Sequence, residues 1–169
     1  TTLSLKGKTA LVTGSTSGIG KRIAEVFADA GANIVIADLK LQEAQATAAA
    51  IALRGVKTLA VAMDVTDEAA VDAGFAQVQN ALGAVDILVS NAGIQIVAPI
   101  EDFQFADWKK LIAVHLDGGF LTSRAAVRQM IASGRGGSIL FMGSVHSKEA
   151  SKLKSPYVAA KHGLEGLAK

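Results

Sequence analysis

The stretch Lys8–Gly20 reads KTALVTGSTSGIG. Lys8 to Val12 is a short apolar strand. Thr13-Gly14-Ser15-Thr16-Ser17-Gly18-Ile19-Gly20 is a glycine-rich turn, and Ile23, Val26, Phe27 and Ala30 then recur at helical spacing until Gly31. A strand, a glycine turn and a helix in immediate succession form the opening unit of a nucleotide-binding α/β sheet. Gly14 permits the tight exit from the strand. Gly18 and Gly20 let backbone approach a diphosphate and let the helix pack near the sheet. The helix start faces the phosphates with unpaired N–H groups and the positive end of its dipole, so Ser15, Thr16, Ser17 and Ile19 join the glycines as expected contacts. The spacing is Gly-x-x-x-Gly-x-Gly. A phosphate loop of the kinase or ATPase kind would need glycine at Ser15 and Ser or Thr at Arg22, and both requirements fail.

Working outward, strands and helices alternate. A strand over Asn33–Ala37 ends at Asp38, about 20 residues past the glycine loop, where a carboxylate can accept both hydroxyls of an adenosine ribose. The same carboxylate would repel a 2′-phosphate, which favours NAD; as a bare loop residue, Asp38 also fits a cap of the next helix. That helix covers Leu41–Leu53. A strand at Thr58–Ala62 leads to Asp64-Val65, a helix at Asp67–Leu82 closes on Gly83, and a strand at Val85–Val89 leads to Asn91-Ala92-Gly93. A longer helix spans roughly Phe105–Ile131, and Ser133-Gly134-Arg135-Gly136-Gly137 turns the chain into a fifth strand, Ser138–Met142. The alternation predicts one α/β domain over residues 1–169, with a Rossmann-type doubly wound parallel sheet and right-handed crossovers.

Composition agrees with helices packed closely on a buried parallel sheet: 50% of the 169 residues are apolar and only 5% aromatic. The net charge of +2 comes from scattered Lys and Arg, which is no nucleic-acid footprint. There is no cysteine, so disulfides and thiolate metal sites are excluded, and no metal is expected. No apolar run reaches ~18 residues and no charged-then-apolar leader opens the chain, so a soluble, cytoplasmic protein without membrane partners is expected.

A second informative stretch is Phe141–Lys161, FMGSVHSKEASKLKSPYVAAK. The strand breaks at Gly143-Ser144, and a helix restarts after Ser155-Pro156, with Ser155 a fitting N-cap and Pro156 a fitting first residue. Tyr157 and Lys161 then share a helix face, roughly 6 Å apart. Ser144 ends its strand at the carboxyl edge, where open α/β sheets hold ligands. A phenol, an ammonium and a hydroxyl meeting there point to proton transfer: a nearby positive charge stabilises the phenolate, and the serine can hold a substrate oxygen. Taken alone, Tyr-x-x-x-Lys fits equally a half-buried tyrosine beside a solvated lysine.

With Thr13-Gly14-x-x-x-Gly18-Ile19-Gly20, Asn91-Ala92-Gly93, Ser144 and Tyr157-x-x-x-Lys161 in this order, the sequence resembles the short-chain dehydrogenase/reductase family over nearly its whole length. The resemblance implies hydride transfer between NAD and a carbinol carbon. It makes Tyr157 the acid/base, Lys161 its electrostatic support and a ligand of the nicotinamide ribose, and Ser144 the holder of the substrate oxygen. It further implies that Asp64 and Val65 line the adenine pocket and that Asn91, Ala92 and Gly93 form the floor beneath the cofactor. Members are usually tetramers, joined through the long helix and the helix after Tyr157.

One departure stands out. Where the family carries an asparagine in an Asn-Leu-x-Gly-x-Phe pattern, this chain reads His115-Leu116-Asp117-Gly118-Gly119-Phe120. Either His115 only packs, or its imidazole replaces the amide or the water that the amide holds. The segment around Tyr157 also resembles the family's 3-hydroxybutyrate dehydrogenase branch, in which Gln95, His146 and Lys154 match residues that grip a short carboxylate. Without that resemblance, Gln95 and Lys154 read more readily as solvated loop residues. The implied reaction is oxidation of (R)-3-hydroxybutyrate to acetoacetate. The alternatives are a reductase of another ketone or 3-oxoacyl thioester, and a catalytically silent nucleotide-binding regulator. The resemblance also implies two further strands and a substrate lid beyond Lys169. Without them, the Ser138–Met142 strand is expected to be an exposed apolar edge.

Overall fold

The computed structural model describes residues 4–169. Five strands form one parallel sheet: β1 (Thr9–Thr13), β2 (Asn33–Asp38), β3 (Thr58–Ala62), β4 (Ile87–Ser90) and β5 (Ser138–Phe141), in the spatial order β3-β2-β1-β4-β5. β1 is central. Leu11 pairs with Val35 on one side and Leu88 on the other. The strand direction of build-up reverses at β1, so a crevice opens above the carboxyl ends of β1 and β4.

Helices α1 (Gly18–Asp29), α2 (Leu41–Ala52), α3 (Glu68–Leu82), α4 (Phe105–Ile112), α5 (Gly118–Ser133) and α6 (Ser155–Ala168) connect the strands. Successive side chains of a strand point to opposite faces, and both faces are covered here. Ala10, Val12, Ile34 and Ile36 therefore pack with Ala24, Ala28 and Ile51 of α1 and α2. Leu11, Val35, Val61 and Leu88 pack with Phe75, Val78, Ala126 and Met130 of α3 and α5. That double burial is why β1 is apolar without alternation, and each fully buried large side chain contributes about 1.5–3 kcal/mol.

Three local expectations shift. The long helix is not uniform: residues Ala113–Asp117 widen into a π turn between α4 and α5, and His115 lies within it. β4 begins two residues later than its apolar run, because the Val85 amide donates to Gln129 Oε1 at 3.0 Å. Ser155 is the first residue of α6 and Lys154 its cap, so Pro156 is second in the helix, not first. β5 is an edge strand among the described residues, with Leu140 45% exposed. No described helix is long and apolar enough to cross a membrane.

Candidate active site

The glycine loop is held to β4 by Asn91. Its amide nitrogen donates to the carbonyls of Thr13 (2.9 Å) and Gly14 (3.0 Å), while Thr13 Oγ1 accepts the N–H groups of Asn91 (2.9 Å) and Ala92 (3.0 Å). Gly14 has φ 61°, and a Cβ on Gly20 would lie 2.4 Å from the Gly14 oxygen, so the turn closes only without side chains at these positions. Ser17 caps α1 without a side-chain bond, and no acidic residue occupies the first turn. The leading N–H groups of α1 thus remain open to an anion. This cradle fits a dinucleotide diphosphate.

Several expected contacts have other duties. Ser15 is fully buried and its hydroxyl donates to the Val12 carbonyl at 2.6 Å, so its side chain is turned away from any ligand. The Asn91 amide nitrogen is committed to the loop, and the residue also lines the neighbouring cleft. Asp38 Oδ2 accepts from the N–H (3.1 Å) and hydroxyl (2.8 Å) of Thr16, and Oδ1 from the Leu39 N–H (2.9 Å). Its carboxylate is thereby fixed at the end of β2; Oδ2 already accepts twice, so one lone pair, on Oδ1, is left for a ligand. Asp38, Asp64, Val65, Ala92 and Gly93 line one pocket with Gly14. Asp64 sits at its exposed rim, bonded to Thr66, and Val65 is buried.

A neighbouring cleft of about 430 Å³ is lined by Ile19, Asn91, Gly93, Gln95, His115, Ser144, Tyr157 and Lys161. Lys161 is only 3% exposed; its ammonium donates to the Met142 carbonyl and lies 5.5 Å from the centroid of the Tyr157 ring. Burial pushes the Lys161 pKa below its usual value. Ser144 Oγ accepts the His146 N–H at 3.2 Å, capping the short turn Val145–Ser147, and among the described residues its own proton has no acceptor.

His115 is the buried wall of this cleft. Its Nε2 lies 3.1 Å from the Ile94 nitrogen and 2.8 Å from the Ile94 oxygen, while Nδ1 has no partner. Desolvation lowers its pKa, opposed by the Ile94 backbone bond and reinforced by the Lys161 charge. The ring meets Tyr157 edge to face at 5.3 Å, and His146 does so at 6.1 Å. Gln95 is exposed and donates to the Ile96 carbonyl, and Lys154 sits at the α6 cap, outside the lining of the cleft. Two kinds of site group lie beyond the sequence pattern: Thr13, whose hydroxyl anchors Asn91 and Ala92, and the carbonyls of Ile94 and Met142, which no side-chain pattern reveals.

The chain matches the family profile described as short chain dehydrogenase over residues 8–169. It is 43% identical to a D-beta-hydroxybutyrate dehydrogenase of Cupriavidus necator, over 98% of this chain and 64% of that protein. It is 41% identical to a sorbitol dehydrogenase of Cereibacter sphaeroides, over 93% of this chain and 60% of that protein. A gluconate 5-dehydrogenase from Burkholderia cenocepacia, solved in complex with NADP and tartrate, superposes with a TM-score of 0.93 at 40% identity, covering 98% of this chain and 65% of that one. The chain spans 60–65% of the length of these relatives. Glycine cradle, Asn91 tie, and the cleft shared by Ser144, Tyr157 and Lys161 thus belong to a sequence that matches from the first strand onward: the chain is a member of the short-chain dehydrogenase family.

Proposed function

We propose that the protein is an NAD-dependent dehydrogenase of short hydroxy acids, oxidising (R)-3-hydroxybutyrate to acetoacetate. The observation that carries this reading is the gathering of Ser144, Tyr157 and Lys161 around one cleft beside the diphosphate cradle. NAD, when bound, supplies the hydride acceptor. Tyr157 removes the proton of the substrate hydroxyl, and Ser144 directs its unengaged proton at the same oxygen. Lys161 stabilises negative charge on the phenol oxygen from a buried position, where the interaction is little screened. His115, buried with Nδ1 unpartnered, takes the place of the family asparagine, its imidazole standing in for the amide or for the water that the amide holds. Gln95, His146 and Lys154 grip the carboxylate, combining neutral donors with a cation. Asp38 accepts a ribose hydroxyl through Oδ1 and disfavours a 2′-phosphate. The exposed Phe105, Trp108 and Phe120 on the long helix support assembly of a homotetramer.

A second reading, oxidation of a polyol or sugar acid, is favoured by the comparable similarity to the sorbitol dehydrogenase and by the gluconate 5-dehydrogenase. Formation of reduced cofactor by the full-length protein separates the two. The panel is (R)- and (S)-3-hydroxybutyrate, sorbitol and gluconate, each with NAD and NADP. The highest kcat/KM is expected for (R)-3-hydroxybutyrate with NAD. A higher value for sorbitol or gluconate would move the assignment to the second reading. No turnover with any of them would favour a nucleotide-binding regulator.

A further inference from the structure

Leu153 is the one non-glycine with positive φ among the described residues, at 61°. A leucine rarely adopts that conformation, and such outliers persist only where the surroundings hold them. Its side chain is 50% exposed, so burial does not explain it. The Leu153 carbonyl accepts the Ala98 N–H at 3.1 Å, the backbone bond that joins the segment after β4 to the segment before α6. Each side of this bond leads to a proposed carboxylate ligand. Lys154 follows directly, and its carbonyl accepts the Val158 N–H at 2.9 Å to open the helix bearing Tyr157. Gln95 lies three residues before Ala98.

We propose that Leu153 is a positioning residue for the substrate. Its left-handed backbone aims the carbonyl at Ala98, clasps the Gln95 segment to the Lys154 segment, and so sets the distance between the two side chains that hold the carboxylate. The ligand assignment rests on the hydroxy-acid reading; the clasp does not. The role is conformational, so it belongs to the backbone rather than to the leucine side chain. Glycine and asparagine enter the left-handed region readily, whereas a β-branched residue resists it while remaining apolar.

The test uses full-length wild type, Leu153→Gly, Leu153→Asn and Leu153→Val. It measures hydrogen exchange at the Ala98 amide and the separate KM values for (R)-3-hydroxybutyrate and NAD. Leu153→Gly and Leu153→Asn are expected to keep Ala98 protected, with KM for the hydroxy acid within about twofold of wild type. Leu153→Val is expected to lose that protection and raise the hydroxy-acid KM about fivefold or more, with KM for NAD unchanged. Fast Ala98 exchange in wild type, equal protection in all four proteins, or a defect in the Gly and Asn variants but not in Val would overturn the proposal. If wild type oxidises no hydroxy acid, the functional reading fails, and Ala98 exchange still decides the clasp.

Discussion

The His115 imidazole rests directly on Gly93: a Cβ there would lie 2.5 Å from His115 Cε1 and 3.2 Å from Nδ1. The ring is buried and tied to Ile94, so it has little room to retreat. Gly93→Ala is expected to cost about 1–3 kcal/mol of stability by overpacking and to depress turnover. In a double-mutant cycle with His115→Ala, the stability cost of Gly93→Ala should shrink because the colliding ring is gone. Additive losses in thermal unfolding would show that the contact is not what matters.

The same ring gives stability a defined pH dependence. Burial holds the His115 pKa below its ordinary 6.5 in the folded chain, so between that lowered value and 6.5 the unfolded chain binds the proton more readily. Stability therefore falls as pH drops through this window and levels off below the folded pKa. Urea unfolding from pH 7.5 to 5 should show a shallower slope for His115→Asn than for wild type. Identical slopes would remove His115 as the source.

Lys161 places a charge where burial disfavours it, with a backbone carbonyl as its hydrogen-bond partner. Lys161→Met should reduce kcat by about 10²–10⁴ while leaving the folded state within about 1 kcal/mol of wild type or above it, since a buried cation is exchanged for an apolar chain. Turnover and melting temperature together check this. Parallel collapse of both would mean the lysine is chiefly structural.

Asn91 links the glycine loop to β4 through two carbonyls. Asn91→Ala is expected to cost about 1–3 kcal/mol and to raise KM for NAD, because the Thr13 and Gly14 carbonyls lose their donors and the cradle loosens. Asn91→Asp should be worse, since a carboxylate cannot donate to them. An unchanged KM for NAD in both variants would separate the loop tie from cofactor binding.

Asp38 is fixed by Thr16 and Leu39 at the end of β2. Asp38→Asn should lower kcat/KM for NAD and raise it for NADP, narrowing the ratio by about tenfold or more as the repulsion of a 2′-phosphate is lifted. A constant ratio would assign cofactor choice elsewhere.

The alternating strands and helices were legible because a sheet covered on both faces needs uninterrupted apolar runs, such as Ala10-Leu11-Val12 and Ile34-Val35-Ile36. Asp67, expected as the first residue of its helix, is instead the N-cap of α3, accepting from Ala69 (2.9 Å) and Ala70 (3.3 Å). The π turn at Ala113–Asp117 was not legible, because a single i→i+5 turn inside a helical run is marked by no residue type. Ser15 looked like a loop hydroxyl open to a ligand, and only the fold turns it inward to Val12. Leu153 carries none of the glycine or asparagine marks of a left-handed position. Tyr157, Lys161 and Ser144 could be listed from sequence, but their shared cleft depends on β4, β5 and α6 meeting at one edge.

The most direct test of the account is Tyr157→Phe in the full-length protein, assayed for NADH formation from (R)-3-hydroxybutyrate and, by fluorescence titration, for NADH affinity. Removal of the one proton-accepting oxygen should abolish detectable turnover while NADH binds within about threefold of wild type. Turnover that survives this substitution would contradict the assignment of Tyr157 as the acid/base.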